Sequence, residues 1–370
     1  MSKVFIRNAG YNYGTLKPII FELMDALDGN RIERNSRVVI KPNLLAPAQT
    51  DKAILTHPLI VKAVVEYVLD RGACPRISDS PAVGSFDRIL RESGIKDALS
   101  GLAVEYKEFK DSVRVDVGKP FESIEIASDA VNADFLINLP KLKTHTHMLL
   151  TLGVKNLFGC IVGMKKPEWH LRTGVNREMF AQLLVKIYQA VHPSITIIDG
   201  ILAMEGQGPG KRGTPRQLGV LLGGQNAVEL DMSVCKMMGI PPEEVLTNKI
   251  ALYQGLAEDE IILDGDLPRI RDFKLPDMKP LVFGPEKYHG FMRRHLIQRP
   301  VCDDDLCKLC GECWKYCPAE AITQKKKNIH FNYDKCIRCY CCIEVCPYGA
   351  LRAHETLPGK LTRKLLKIEN

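Results

Sequence analysis

The chain has 370 residues, 45% apolar and 26% charged, which excludes disorder as its main state and suggests two or three domains of roughly 100–200 residues each. A net charge of +7 falls short of a nucleic-acid-binding footprint. A membrane span would show as a run of about 18 uncharged apolar residues, and none exists; the N-terminal stretch also lacks a secretory signal, so a cytoplasmic protein is expected. Residues 1–265 read as one α/β unit. In chain order, β-branched runs at Val4–Arg7, Arg37–Ile40, Ile77–Ser80, Phe135–Leu139, Ile195–Asp199, Val220–Leu222 and Ile261–Leu263 predict strands. Amphipathic stretches at Leu16–Leu27, Pro58–Leu69, Phe86–Leu99, Met179–Val191 and Ala227–Met238 predict helices between them. The second of these opens on Thr56-His57-Pro58, a cap followed by an N1 proline, and stops at Arg71-Gly72. Continuous apolar strands alternating with helices imply a mostly parallel, Rossmann-like sheet covered on both faces. Leu102–Ser128 alternates differently and predicts an antiparallel excursion. Residues 266–300, rich in proline and holding the basic run Met292-Arg293-Arg294-His295, read as a connecting segment. Residues 301–352 form a cysteine-rich α+β domain, and 353–370 a basic tail with interleaved leucines.

All but three of the thirteen cysteines lie from Cys302 to Cys346. In a chain with no export signal such clustering points to metal, not disulfides. Cys307-x-x-Cys310-x-x-Cys313-x-x-x-Cys317-Pro318 is repeated as Cys336-x-x-Cys339-x-x-Cys342-x-x-x-Cys346-Pro347. This is the bacterial ferredoxin run, in which the fourth cysteine of each repeat ligates the other cluster. Cys307, Cys310, Cys313 and Cys346 are therefore expected on one [4Fe-4S] cluster, and Cys336, Cys339, Cys342 and Cys317 on the second. Zinc takes paired Cys-x-x-Cys units, which a triple run with a distant fourth ligand does not match. Cys341 and Cys302 stand outside the pattern.

The densest chemistry in the α/β unit runs from Lys141 to Arg172, with six Lys/Arg against one Glu and three histidines. It follows a predicted strand, and loops at strand carboxyl ends face the ligand crevice of a parallel sheet. Lys141, Lys143 and His145 recur at a two-residue period on an extended segment, which gives them one side. The lysines offer fixed charge to an anion, and His145 offers a proton near neutral pH. Lys155 and Asn156 follow. Lys41-Pro42-Asn43 and Asp79-Ser80 sit at two further strand ends. Asp199-Gly200 leads into Glu205-Gly206-Gln-Gly208-Pro209-Gly210, a glycine-rich turn suited to an anion or a flavin ring. Its Gly208-x-Gly210-x-x-Gly213 matches the dinucleotide fingerprint only formally, since proline interrupts it and no helix follows.

Ile40-Lys41-Pro42-Asn43, Leu139-Pro140-Lys141-x-Lys143-x-His145, Gly153-Val-Lys155-Asn156-x-x-Gly159 and Asp199-Gly200 with Glu205-Gly206-x-Gly208-Pro209, in that order, resemble the domain of unknown function 362 family over roughly residues 1–270. That family is often joined to a dicluster ferredoxin domain. A fainter similarity to the N-terminal domain of nickel-pincer lactate racemases implies a related α/β scaffold, but the racemase's glycine-rich nucleotide motif is not matched.

The expected function is an iron–sulfur oxidoreductase. Electrons from an external donor or acceptor protein pass through two [4Fe-4S] clusters to a small anionic or carbonyl-bearing substrate, with a flavin as an optional converter. Lys141, Lys143 and His145 would be catalytic; Lys41, Asn43, Lys155, Asn156, Gly206 and Gly208 would bind the ligand or cofactor. The alternatives are an electron-transfer subunit that docks a partner enzyme and a cluster-maturation protein.

Overall fold

Buried β-branched residues build the centre of the molecule. In the computed structural model, which describes residues 3–365 except 175, 259, 279–290 and 293–294, the strands are β1 (Lys3–Asn8), β2 (Arg37–Pro42), β3 (Cys74–Ile77), β4 (Glu105–Tyr106), β5 (Ser112–Gly118), β6 (Glu122–Ala127), β7 (Phe135–Leu139), β8 (Lys141–His145), β9 (Leu149–Thr151), β10 (Ile195–Gly206), β11 (Gly213–Gly224) and β12 (Ile262–Asp264). Val38, Val39 and Ile40 of β2 are all buried, as a strand covered on both faces requires. The main sheet runs β12-β1-β11-β10-β7-β2-β3-β4, with β8 beside β10 and β9 paired to β8. Pairings along β7, β2, β3 and β4 are parallel, as are β10 with β7 and β8, and β1 with β12. β11 lies antiparallel to both its neighbours.

Helices Tyr13–Ala26 and Pro58–Asp70 cover one face through Leu16, Ile20, Leu23, Ile60 and Val64. Helices Arg177–Val191 and Ala227–Met238 cover the other through Phe180, Leu184, Ile187 and Val228. β5 and β6 pair separately as the predicted antiparallel excursion, burying Ile124 and Ile126.

The structure departs from expectation in three places. The strand expected at Ile77–Ser80 lies earlier, at Cys74–Ile77, because Asp79 turns its carboxylate onto the N–H groups of Leu44 and Ser80 and takes the chain off the sheet. The Phe86–Leu99 helix is broken into Phe86–Glu92 and Ile95–Ala98, because Gly94 takes φ 75° between them. The strand expected to stop at Asp199 runs on to Gly206, 12 residues in all from Ile195. Gly200 does not end it; a Cβ there would come 2.9 Å from the Val220 carbonyl oxygen, and the register slips between Gly200 and Leu202, so it marks a bulge.

The C-terminal domain has two antiparallel pairs, β13 (Arg299–Cys302) with β16 (Leu351–His354) and β14 (Ile322–Lys325) with β15 (Asn328–Phe331), and short helices Glu312–Lys315 and Cys341–Val345. Ile322, Phe331, Tyr340, Ile343 and Leu351 form its core. It is seated on the β10–β11 turn: Arg212 donates to the Leu351 carbonyl at 3.0 Å, and a Cβ on Gly210 would stand 3.4 Å from the Glu344 carbonyl oxygen. Helix Leu357–Leu365 follows, with Leu357, Leu361 and Leu365 exposed. Arg293, Arg294 and residues 366–370 of the predicted basic segments lie outside the described residues.

Candidate functional site

β2 and β3 deliver Lys41 and Asp79 to adjacent strand ends, where the two side chains pair at 2.9 Å with 0% and 5% exposure. The Asp79 carboxylate also accepts the backbone N–H groups of Leu44 (3.0 Å) and Ser80 (2.9 Å). This buried pair explains Gly159, because any Cβ there would overlap both the Asp79 carboxylate and the Lys41 ammonium.

Beside the pair runs a chain of carboxamides. Lys143 Nζ donates to Asn43 Oδ1 (2.8 Å) and the Ile54 carbonyl (2.8 Å). Asn43 Nδ2 donates to Asn156 Oδ1 (2.8 Å), Asn156 Nδ2 to Asn138 Oδ1 (2.8 Å), and Asn138 Nδ2 to the Gly153 carbonyl (3.0 Å). Each amide thus points its oxygen toward Lys143, and the network fixes every amide orientation. Asp231 anchors the far end by accepting the Gly153 and Val154 N–H groups at 2.7 and 3.1 Å. That holds the short helix carrying Lys155 and Asn156.

Burial, reinforced by Lys155, pulls the Lys143 ammonium down to about 7. Burial takes Lys166, which donates to Ser80 Oγ at 2.8 Å, down to about 8. Lys155 lies over the rings of Phe158 and Phe180 at 5.7 and 5.8 Å and has no hydrogen-bond or ion-pair partner among the described residues. Burial lowers it too. Lysines crowded out of water with too few counter-charges favour a bound anion.

His145 ends β8. Its Nδ1 accepts the N–H groups of His147 (3.0 Å) and Met148 (3.3 Å), so the neutral ring carries its proton on Nε2. Burial lowers its pKa to about 4. Nε2 approaches Glu344 Oε1 of the C-terminal domain to 2.9 Å, yet neither atom completes an aligned hydrogen bond. Burial alone would raise the Glu344 carboxyl, but His145 foremost, then Lys155 and His170, hold it well below the usual range.

These groups line a cleft of about 790 Å³, mouth included, between the two domains. The α/β side contributes Lys41, Asn43, Asp79, Lys143, His145, Lys155, Asn156 and Lys166. The C-terminal domain contributes Tyr316, Cys341, Glu344 and Val345. Three sequence-level expectations need correction. Lys141 does not reach the cleft; its ammonium is taken by Asp199 (2.7 Å) and the Tyr11 hydroxyl (2.9 Å) in a separate buried network. Gly206 and Gly208 do not line it either, because the turn is fastened to β8, with Gly208 N–H near Thr144 Oγ1 (3.3 Å) and its carbonyl accepting Thr146 N–H (3.1 Å). Only Pro209 of that turn faces the cleft. Glu344, Cys341, Thr151 and His170 are cleft residues that sequence reasoning missed. The one signal for the first two is their three-residue spacing on a helix.

The cysteine quartets fit iron–sulfur clusters. Cys307, Cys310, Cys313 and Cys346 line one cavity of about 310 Å³ together with Leu309, Trp314 and Ile329. The N–H groups of Ala350 and Ala321 point at Cys346 Sγ and Cys317 Sγ, each at 3.3 Å. Burial, then the neighbouring thiols of Cys339, Cys336 and Cys317, push Cys342 well above its ordinary value, a cost that bound iron removes. Cys341 lines the cleft, and its thiol also lies against that of Cys339 in this quartet. Cys160 is buried and its thiol is pushed up to about 12, as an inert structural cysteine would be.

The architecture defines a doubly covered α/β domain joined to a ferredoxin-type domain. The chain belongs to the family described as Domain of unknown function (DUF362), whose model matches residues 38–236, and it carries a 4Fe-4S dicluster domain over 299–347. It is 33% identical over 287 residues to the Thylakoid-associated protein sll1697 of Synechocystis sp., covering 75% of this chain and 89% of that one. Its C-terminal part is 41% identical over 56 residues to pyruvate synthase subunit PorD of Thermotoga maritima, 15% of this chain and 57% of that one. Among solved structures, the lactate racemase apoprotein from Thermoanaerobacterium thermosaccharolyticum aligns with a TM-score of 0.40 at 12% identity, over 62% of this chain and 55% of that one. Among the described residues, no helix is long and apolar enough to cross a membrane.

Proposed function

We propose that the protein is an iron–sulfur oxidoreductase acting on a small anionic or carbonyl-bearing compound held in the interdomain cleft. The observation that carries this reading is the helix Cys341–Val345, which gives Cys342 to one cysteine quartet and Cys341 and Glu344 to the cleft wall. One short helix therefore separates a cluster site from the ligand site. When bound, the clusters held by Cys307, Cys310, Cys313, Cys346 and by Cys336, Cys339, Cys342, Cys317 supply single electrons; a flavin in the cleft would convert them to pairs.

The residues of the chain do the rest. Lys155 and Lys143 attract the anion, Asn43 and Asn156 orient it through the carboxamide chain, and the neutral His145 ring offers its Nε2–H as a hydrogen-bond donor. Apolar Leu44, Leu45, Phe158 and Pro209 keep water out. An external redox protein would meet the first quartet, where Cys310 is exposed beside exposed Leu306 and Tyr348. Resemblance of the dicluster domain to PorD, named as a subunit, supports such a partner.

The test is anaerobic purification, mass spectrometry of small molecules released on denaturation, and calorimetric titration with small acids. Lys143→Ala should weaken acid binding by about tenfold or more, since it removes a charged hydrogen-bond donor, and leave the cluster spectrum unchanged. Unaltered binding would overturn the cleft assignment.

A further inference from the structure

The cleft contains more buried polar atoms than the protein itself satisfies. Thr151 Oγ1, His170 Nδ1, His145 Nε2 and Glu344 Oε1 are all buried without a completed hydrogen bond, and all four residues line it. Buried polar groups left unpaired are costly, so such a set at a cleft marks where a ligand makes its bonds. Glu344 is the odd member. It places a carboxylate in a cleft whose other charges are mainly lysines, and a bare anion there would be repelled by it. Glu344 Oε1 can only accept, while His145 Nε2–H can only donate, and the two atoms lie 2.9 Å apart. A hydroxyl group answers both at once: its oxygen accepts from His145 and its hydrogen goes to Glu344.

We infer that Glu344, supplied by the redox domain, is a specificity-determining residue that selects hydroxyl-bearing carboxylate anions over their deoxy counterparts. The inference rests on the anion-cleft reading above and deepens it. Lys155 holds the carboxylate end, and the His145–Glu344 pair reads the hydroxyl. An acid without the hydroxyl leaves the pair in its misaligned 2.9 Å contact and meets the Glu344 charge unshielded.

The experiment titrates the anaerobic holoprotein by calorimetry with three matched pairs of probes: glycolate and acetate, 4-hydroxybutyrate and butyrate, mandelate and phenylacetate. The pairs cover two carboxylate-to-hydroxyl spacings, the shorter one with and without an aromatic ring, so that one can span from Lys155 to the pair. The hydroxylated member of at least one pair should bind about tenfold more tightly, the lower end of what a hydrogen bond to a charged acceptor gives. Glu344→Ala should erase that preference. Lys155→Met should weaken both members alike and keep their ratio. Retained cluster absorbance checks that each variant is assembled. If Glu344→Ala loses its clusters, the wild-type ratios together with His145→Ala, which must shrink the same preference, decide the matter. Equal affinities within every pair, or a preference that survives Glu344→Ala, would overturn the inference and leave the anion cleft standing. If none of the six acids binds the wild-type protein, the cleft reading falls and takes this one with it.

Discussion

Asp199→Asn offers a stringent test of the structure, because it isolates a buried charge pair away from the cleft. Asp199 Oδ1 accepts the Tyr11 hydroxyl at 2.7 Å, and Oδ2 accepts Lys141 Nζ at 2.7 Å and the His57 N–H at 3.0 Å. Both charged side chains are essentially inaccessible, at 1% and 0%. An amide has one acceptor oxygen, so its NH₂ must face either the Tyr11 hydroxyl or the Lys141 ammonium and His57 N–H, all donors on their present bonds. The ammonium is left buried without its counter-charge, which costs about 3–5 kcal/mol. With an unfolding entropy of about 2.1 cal/mol/K per residue over roughly 265 residues, that is a loss of about 5–9 °C in Tm. Scanning calorimetry of the holoprotein, with cluster absorbance followed through the same scan, measures it. The double variant Lys141→Met/Asp199→Leu should cost less than the two single changes added together, since no lone charge remains. A single variant melting within about 2 °C of wild type would refute the argument, because so small a shift corresponds to only about 1 kcal/mol.

Gly159→Ala should destabilise by about 3 kcal/mol or more and abolish acid binding, since its methyl group displaces the buried Lys41–Asp79 pair; denaturant titration and calorimetry report the two effects. Cys317→Ser should remove the cluster of the second run and spare the first, visible as loss of one reduced-cluster signal in electron paramagnetic resonance. Stability should fall on acidification. Burial sets His145 and His57 at about 4 and His170 at about 3, below their ordinary 6.5. The unfolded chain then binds protons that the folded one refuses between about pH 6.5 and 4, so lowering pH favours unfolding by up to about 1.4 kcal/mol per pH unit for each histidine. Denaturant midpoints that stay flat from pH 7 to 5 would contradict it.

Much of this was legible in the residues. Strict spacing made the cysteine repeat readable, and apolar runs such as Val38-Val39-Ile40 marked the sheet because strands covered on both faces cannot alternate. Lys41, Asn43, Lys143, His145, Lys155 and Asn156 share one cleft because strand ends gather on one edge. The errors had local causes. Gly200 imitates a strand end, but the chain simply bulges there, which carried Gly206 and Gly208 into a turn beneath the other domain. Lys141 shares the two-residue period of Lys143, yet Asp199 and Tyr11 claim it, and no pattern within one segment reveals a partner on another strand. Glu344 stayed invisible for the same reason: its meaning comes from His145, which a different domain supplies.

That shared wall also bears on how the two halves can part company. In primary sequence they look like two separable modules. Yet cutting the chain before β13 would strip Tyr316, Cys341, Glu344 and Val345 from the ligand chamber and flood Thr151 and His145 with solvent. A homologue that keeps only the first half must roof that chamber with something else, or leave its buried lysines open to water.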